Sequence, residues 1–164
     1  MIFRSGLLDG RAIAFAGAGE PIEAACAALG ATTHRLEVTT DEDALHAGVA
    51  ALPSLDALIA DSGDLEQVWT AARAAVNAAF RPASAGKVVL VAPRADAPAR
   101  SALENLARST SIEWARYGIT TAAILPGRET AAAQVAQLAA YLVSPAGAYF
   151  SGCALTLGAV GRVR

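Results

Sequence analysis

Lysine is nearly missing from this chain: Lys87 is the only one, and the other basic residues are arginines. Cysteine is scarce too, and Cys26 and Cys153 stand far apart in no C-x-x-C pattern. That spacing argues against a disulfide framework, a thiol metal site or a redox pair, and is read as two buried thiols in a cytoplasmic protein. His34 and His46 have no motif context, so neither points to a metal site or a nucleophile triad. No apolar run is long enough to span a bilayer. Arg4 and Asp9 flank only a short apolar patch, so no signal peptide is expected at the start. A net charge of −2 gives no electrostatic case for nucleic acid or anionic lipid. The expectation is a cytoplasmic protein with no membrane, nucleic-acid or metal partner.

What is abundant is apolar surface. Hydrophobic residues make up 54% of the 164 positions, with a mean hydropathy of +0.40. Alanine supplies much of it and favours helix and close packing. The length suits a single domain, residues 1–164, with a core of real size. In order, the pattern predicts strands at Arg11–Ala16, Thr32–Val38, Leu55–Ala60, Lys87–Ala92, Ile119–Leu125 and Ala154–Leu157. Between them it predicts helices at Ile22–Leu29, Asp41–Leu52, Leu65–Phe80, Ala99–Tyr117 and Thr130–Val143. Pro21 suits a first helical turn, Asp64 a cap, and Gly30 and Gly118 helix stops. Strict alternation of strand and helix predicts an α/β fold, a doubly wound parallel sheet of Rossmann-like form.

The segment Ala99–Gly127, ARSALENLARSTSIEWARYGITTAAILPG, carries a resemblance. A long helix with Leu103, Leu106, Thr110, Trp114 and Tyr117 on one face runs to Gly118, a buried strand and Pro126-Gly127. With GRAIAFAGAGEPIEAACAALGA, LDALIADSG, GKVVLVAP and YLVSPAGAYFSGCALTLGAV, it resembles the short-chain dehydrogenase/reductase family, most of all its acyl-carrier-protein reductases. The resemblance covers nearly the whole chain. It implies a shortened version of that fold, with one strand–helix unit missing after the second strand. The strand order would then be 2-1-3-4-5-6.

The resemblance also implies which residues chemistry would need. The family's first turn reads G-x-x-x-G-x-G, placing glycines where backbone meets a pyrophosphate. Gly17 holds the first place, with Gly19 in the same turn, but Pro21 and Glu23 hold the other two. Proline lacks an N–H, and a carboxylate there would repel phosphate. Glu37 lies near the spacing of a ribose-binding acid, and Ala60-Asp61-Ser62-Gly63 stands for the family's N-N-A-G turn. The family's catalytic Ser falls on or near Pro93, its Tyr on Asp96 and its Lys on Arg100. Asp96 cannot replace a phenol near neutral pH, since its ordinary pKa is several units too low. Tyr117, Tyr141 and Tyr149 are not followed by Lys four residues on. The loops that would hold the lid and the catalytic segment are also short.

Three readings follow. The first is a degenerate relative that acts as a structural or regulatory subunit, with no catalytic residues and no cofactor expected. It would oligomerise, or pair with an intact relative, through helices 65–80 and 99–117, which form the family's four-helix interface. Ala71, Ala72, Ala74, Ala75, Ala78 and Ala79 would let a second helix come close, and Tyr149–Val160 would add a second contact. The second is an oxidoreductase binding NAD or NADP through vestigial positions Gly17, Gly19, Glu37, Asp61, Pro126 and Gly127. The third is a module binding a small molecule or acyl group in the old cleft.

Overall fold

The computed structural model describes residues 4–17, 19–61 and 63–158. Ala18, Ser62 and the last two positions of Tyr149–Val160 lie outside the described residues. Six parallel strands form one sheet: β1 Ala12–Ala16, β2 Thr32–Leu36, β3 Ala57–Ala60, β4 Gly86–Val91, β5 Ile119–Pro126 and β6 Ala154–Leu157. Their order is β2-β1-β3-β4-β5-β6, the one anticipated for a fold short of one unit. The helices are α1 Glu20–Ala28, α2 Glu42–Ala50, α3 Leu65–Ala75, the short α4 Arg81–Ala83, α5 Ala97–Glu113 and α6 Ala132–Val143.

The sheet is covered on both faces, which explains the unbroken apolar runs. Successive residues of a strand point to opposite faces. Leu58, Ala60, Val88 and Leu90 therefore join the core beneath α2, α3 and α5. Ala57, Ile59, Val89 and Val91 join the core beneath α1 and α6. Burying each Val, Leu or Ile contributes about 1.5–3 kcal/mol. β2 and β6 are the edge strands, and β2 is buried only in part or exposed along its length.

Local chemistry sets the helix ends. The Asp41 carboxylate accepts from Ala44 N, Asp64 from Glu66 N and Gln67 N, and Asp96 from Ala99 N. Each takes up a donor that the first helical turn leaves free. α3 runs on through one π turn, Val76–Phe80, and α5 through a 3-10 turn, Ala115–Tyr117. Gly118 then stops the chain at φ 67°, in the left-handed region.

The alanines of α3 do not face outward as the sequence reading had them. Ala71, Ala72, Ala74 and Ala75 are buried in this chain's own core. They let α3 approach its own sheet and its neighbour α2. A charge at Ala75 would break the domain rather than an interface. The outer side of α3 carries Leu65, Glu66 and, half-buried, Trp69 and Arg73.

A Cβ at Gly118 would lie 2.4 Å from the Ser84 carbonyl oxygen, on a backbone already at positive φ. Gly118→Ala is therefore expected to cost about 2 kcal/mol or more. Urea unfolding followed by circular dichroism should show a lower midpoint with an unchanged slope.

Candidate functional site

A parallel sheet brings all strand carboxyl ends to one edge, where doubly wound folds bind ligands. Gly17 follows β1 at φ 70°. Gly19 is the N-cap of α1, and its backbone N–H donates to the Asp61 carboxylate beyond β3. The Asp61 N–H donates to Ala16 O at 2.9 Å, which ties the two turns together. Pro126 ends β5, and the Gly127 N–H donates to Thr130 Oγ1 at 2.9 Å. Glu37 is exposed, one residue beyond β2 at the same end of the sheet. The six positions singled out from the sequence thus share one end of the molecule, with Asp61 and Gly19 in direct contact.

Two arginines close over that end. The Arg100 guanidinium donates to Pro93 O at 3.3 Å, to Leu125 O at 3.2 Å and, by a short bond, to Pro126 O. Arg94 donates to Gly127 O at 3.3 Å and to Thr130 O. Arg100 stands where the family resemblance puts a catalytic lysine, but it spends its donors on the ends of β4 and β5. Asp96, at the position of the family's tyrosine, caps α5. Both residues act as structural bonds in this chain. Nothing in the sequence context of Arg94 marks it as a partner of Gly127 and Thr130.

Glu23 needs a correction. The sequence suggested a carboxylate turned against a phosphate. Its Oε2 instead accepts from Arg35 Nε at 2.6 Å, and its Oε1 from Thr33 Oγ1 at 3.2 Å, both on β2. The charge is answered by the edge strand. Pro21, in the first turn of α1, still withholds one N–H from the site.

The thiols differ from each other. Cys26 is buried and its pKa is pushed up to about 12, by burial first and Glu23 second. Cys153 is only half-buried. Among the described residues, no three His, Cys, Asp or Glu side chains come together as a metal site, and no helix is long and apolar enough to cross a membrane.

No family model matches the chain, and no curated protein matches it. Solved structures do. It is similar to a citronellol catabolism dehydrogenase of Pseudomonas aeruginosa PAO1, with 22% identity and a TM-score of 0.79 over 95% of this chain and 96% of that one. It is also similar to a doubly substituted short-chain dehydrogenase/reductase of Serratia marcescens, at 18% identity and TM-score 0.74 over 92% and 96% of the two chains. A gluconate 5-dehydrogenase of Burkholderia cenocepacia J2315, solved with NADP and tartrate, gives 18% identity and TM-score 0.74 over 92% and 94%. At these identities the likeness is one of fold, a Rossmann-like parallel sheet that these dehydrogenases share.

Removing the Arg100 side chain leaves buried carbonyls of Leu125 and Pro126 without that donor. Arg100→Ala is expected to cost about 2–3 kcal/mol, and Arg100→Lys to recover little, because an ammonium cannot reproduce the planar fork. Chemical denaturation of both variants checks this.

Asp61 gives a pH signature. Burial is the main influence and raises its pKa above the ordinary 3.8, while the Arg94 charge and the Gly19 N–H pull it part of the way back. A raised folded value means that Asp61 stabilises the fold below its unfolded pKa and loses that contribution as pH rises through the raised value. Asp61→Asn should raise the thermal midpoint at neutral pH, with the gain shrinking in acid. Thermal melts across pH would read it.

Proposed function

We propose that this protein is a structural or regulatory subunit built on the short-chain dehydrogenase fold, one that carries out no hydride transfer and works through association. The observation that carries the reading is the commitment of Arg100 to the carbonyls of Pro93, Leu125 and Pro126. With Asp96 serving as a cap, both positions of the resembled Tyr–Lys pair are taken up in holding the fold. A base near neutral pH and a phenol are the groups that such proton transfer needs. Neither stands at those positions.

Association is supported by the outer faces of α3 and α5. Leu65 is 42% exposed, and it forms an open apolar groove with Trp69, Ala102 and Leu106. Trp69 stacks on Trp114 with ring centroids 6.1 Å apart and planes within 4°. Arg73 lies over the Trp69 ring at 5.5 Å. Tryptophan and arginine beside an open apolar groove is a composition typical of binding surfaces. The proposed occupant is the same pair of helices from a second copy, related by a two-fold axis, or from an intact relative.

A second reading is favoured by the Gly19–Asp61 contact and the exposed Glu37 carboxylate at one end of the sheet. It is an oxidoreductase binding NAD or NADP at Gly17, Gly19, Glu37, Asp61, Pro126 and Gly127. In the first reading no cofactor is needed.

Light scattering separates the two. The wild type should run as a dimer, or join an intact relative supplied in the sample. Ala102→Arg, on the groove and away from the core, should release monomers with unchanged circular dichroism. NADH and NADPH should bind weakly or not at all. A wild type monomeric at tens of micromolar in both settings overturns the subunit reading, and tight nucleotide binding supports the second.

A further inference from the structure

We propose that a second site lies at the opposite, amino-terminal edge of the sheet, and that it binds a small carboxylate-bearing molecule through Lys87. Lys87 is the second residue of β4 and stands in register with Ala57 of β3 and Thr120 of β5. Val88 belongs to the core under α3 and α5, and Val89 to the core under α1 and α6. Strand alternation therefore turns Lys87 toward the α6 side. There it borders a cavity of about 270 Å³, together with Arg11, Asp56 and Thr120, and with Leu55 and Val143 as apolar walls.

The polar groups of this cavity are unevenly satisfied. The Asp56 carboxylate is engaged on both oxygens: Oδ1 accepts from Arg11 Nη1 at 2.9 Å and Oδ2 from Ala12 N at 2.8 Å. Lys87 Nζ is buried and has no hydrogen-bond partner. Buried polar groups are almost always bonded, so an orphaned amine beside a cavity calls for an explanation. The residue type sharpens the point. This chain uses arginine at every other basic position, and its single lysine stands at this wall.

The donor set defines the ligand. Lys87 offers its N–H groups, Arg11 has donors beyond the one given to Asp56, and Thr120 adds a hydroxyl. Two cationic side chains face one carboxylate that is already bonded. A ligand carboxylate would bring two acceptor oxygens and the missing negative charge. Its carbon part would lie against Leu55 and Val143. The volume is just below the range of ordinary small-molecule pockets, which restricts the guest to a short acid. Burial, and then the Arg11 charge, push the Lys87 pKa down, and a bound carboxylate would favour the charged amine again. This site is remote from the strand carboxyl ends and from the α3–α5 groove, so it stands or falls independently of the proposed function.

A single lysine makes the test direct. Protein grown with lysine carbon-13 labelled at Cε gives one side-chain signal. Titration with sodium butyrate and with sodium pyruvate, at constant ionic strength, should move that signal saturably, half-maximally at about 1 mM or below. The same acids should raise the thermal midpoint of the wild type. Lys87→Met should melt higher than the wild type, since an orphaned amine has gone, and should lose the response to both acids. A signal that stays still well above that concentration, or that follows sodium chloride equally, overturns the proposal. So does an acid response that survives in Lys87→Met.

Discussion

The constraint behind this structure is that β1, β3, β4 and β5 must each be sealed from water on both faces. No single layer of helices does that. α2, α3 and α5 cover one face, and α1 and α6 the other. Right-handed crossovers between parallel strands then leave little choice of topology. They also gather every strand carboxyl end at one edge and every amino end at the other. The Arg94–Asp61 pair lies at the first of these edges, and Arg11, Asp56 and Lys87 gather at the second.

At the carboxyl edge, the balance lies between ligand binding and self-sealing. Backbone groups at strand ends need partners, and in many doubly wound proteins part of that need is met by a bound nucleotide. Here Arg100 and Arg94 meet it with five bonds to carbonyls of residues 93–130. A charge-assisted bond to a buried carbonyl is worth about 1.5–3 kcal/mol. A guest that displaced either guanidinium would have to offset that loss first. These carbonyls have their donors without a guest.

Much of the fold was legible in the sequence because its signals are local and redundant. Continuous apolar runs marked β3, β4 and β5, Gly118 and Gly30 marked stops, and Asp64 marked a cap. The strand order followed from the family resemblance and a missing unit. The site was legible only as positions. Gly19 and Asp61 are 42 residues apart, and their contact comes from the β1–β3 pairing. Glu23 looked like a repulsive charge because its partner, Arg35, arrives from the next strand. Ala71 to Ala75 looked like an outer face, because alanine is compatible with either side of a helix. Direction was the part that composition could not supply, and packing against α2 and the sheet supplied it.

The Trp69–Trp114 stack has an optical consequence. These are the only two tryptophans in the chain, and their rings stack between α3 and the end of α5. Nearly parallel indoles at this separation couple electronically, and excitation passes between them faster than either emits. The tryptophan emission of this protein therefore comes from one place. Trp69 is half-buried and Trp114 buried, and the exposed part of Trp69 lines the groove. Anything seated there would dry the fluorophore and move its emission to the blue, while events at either edge of the sheet would leave the spectrum alone. The molecule carries its own label at the surface where association is proposed.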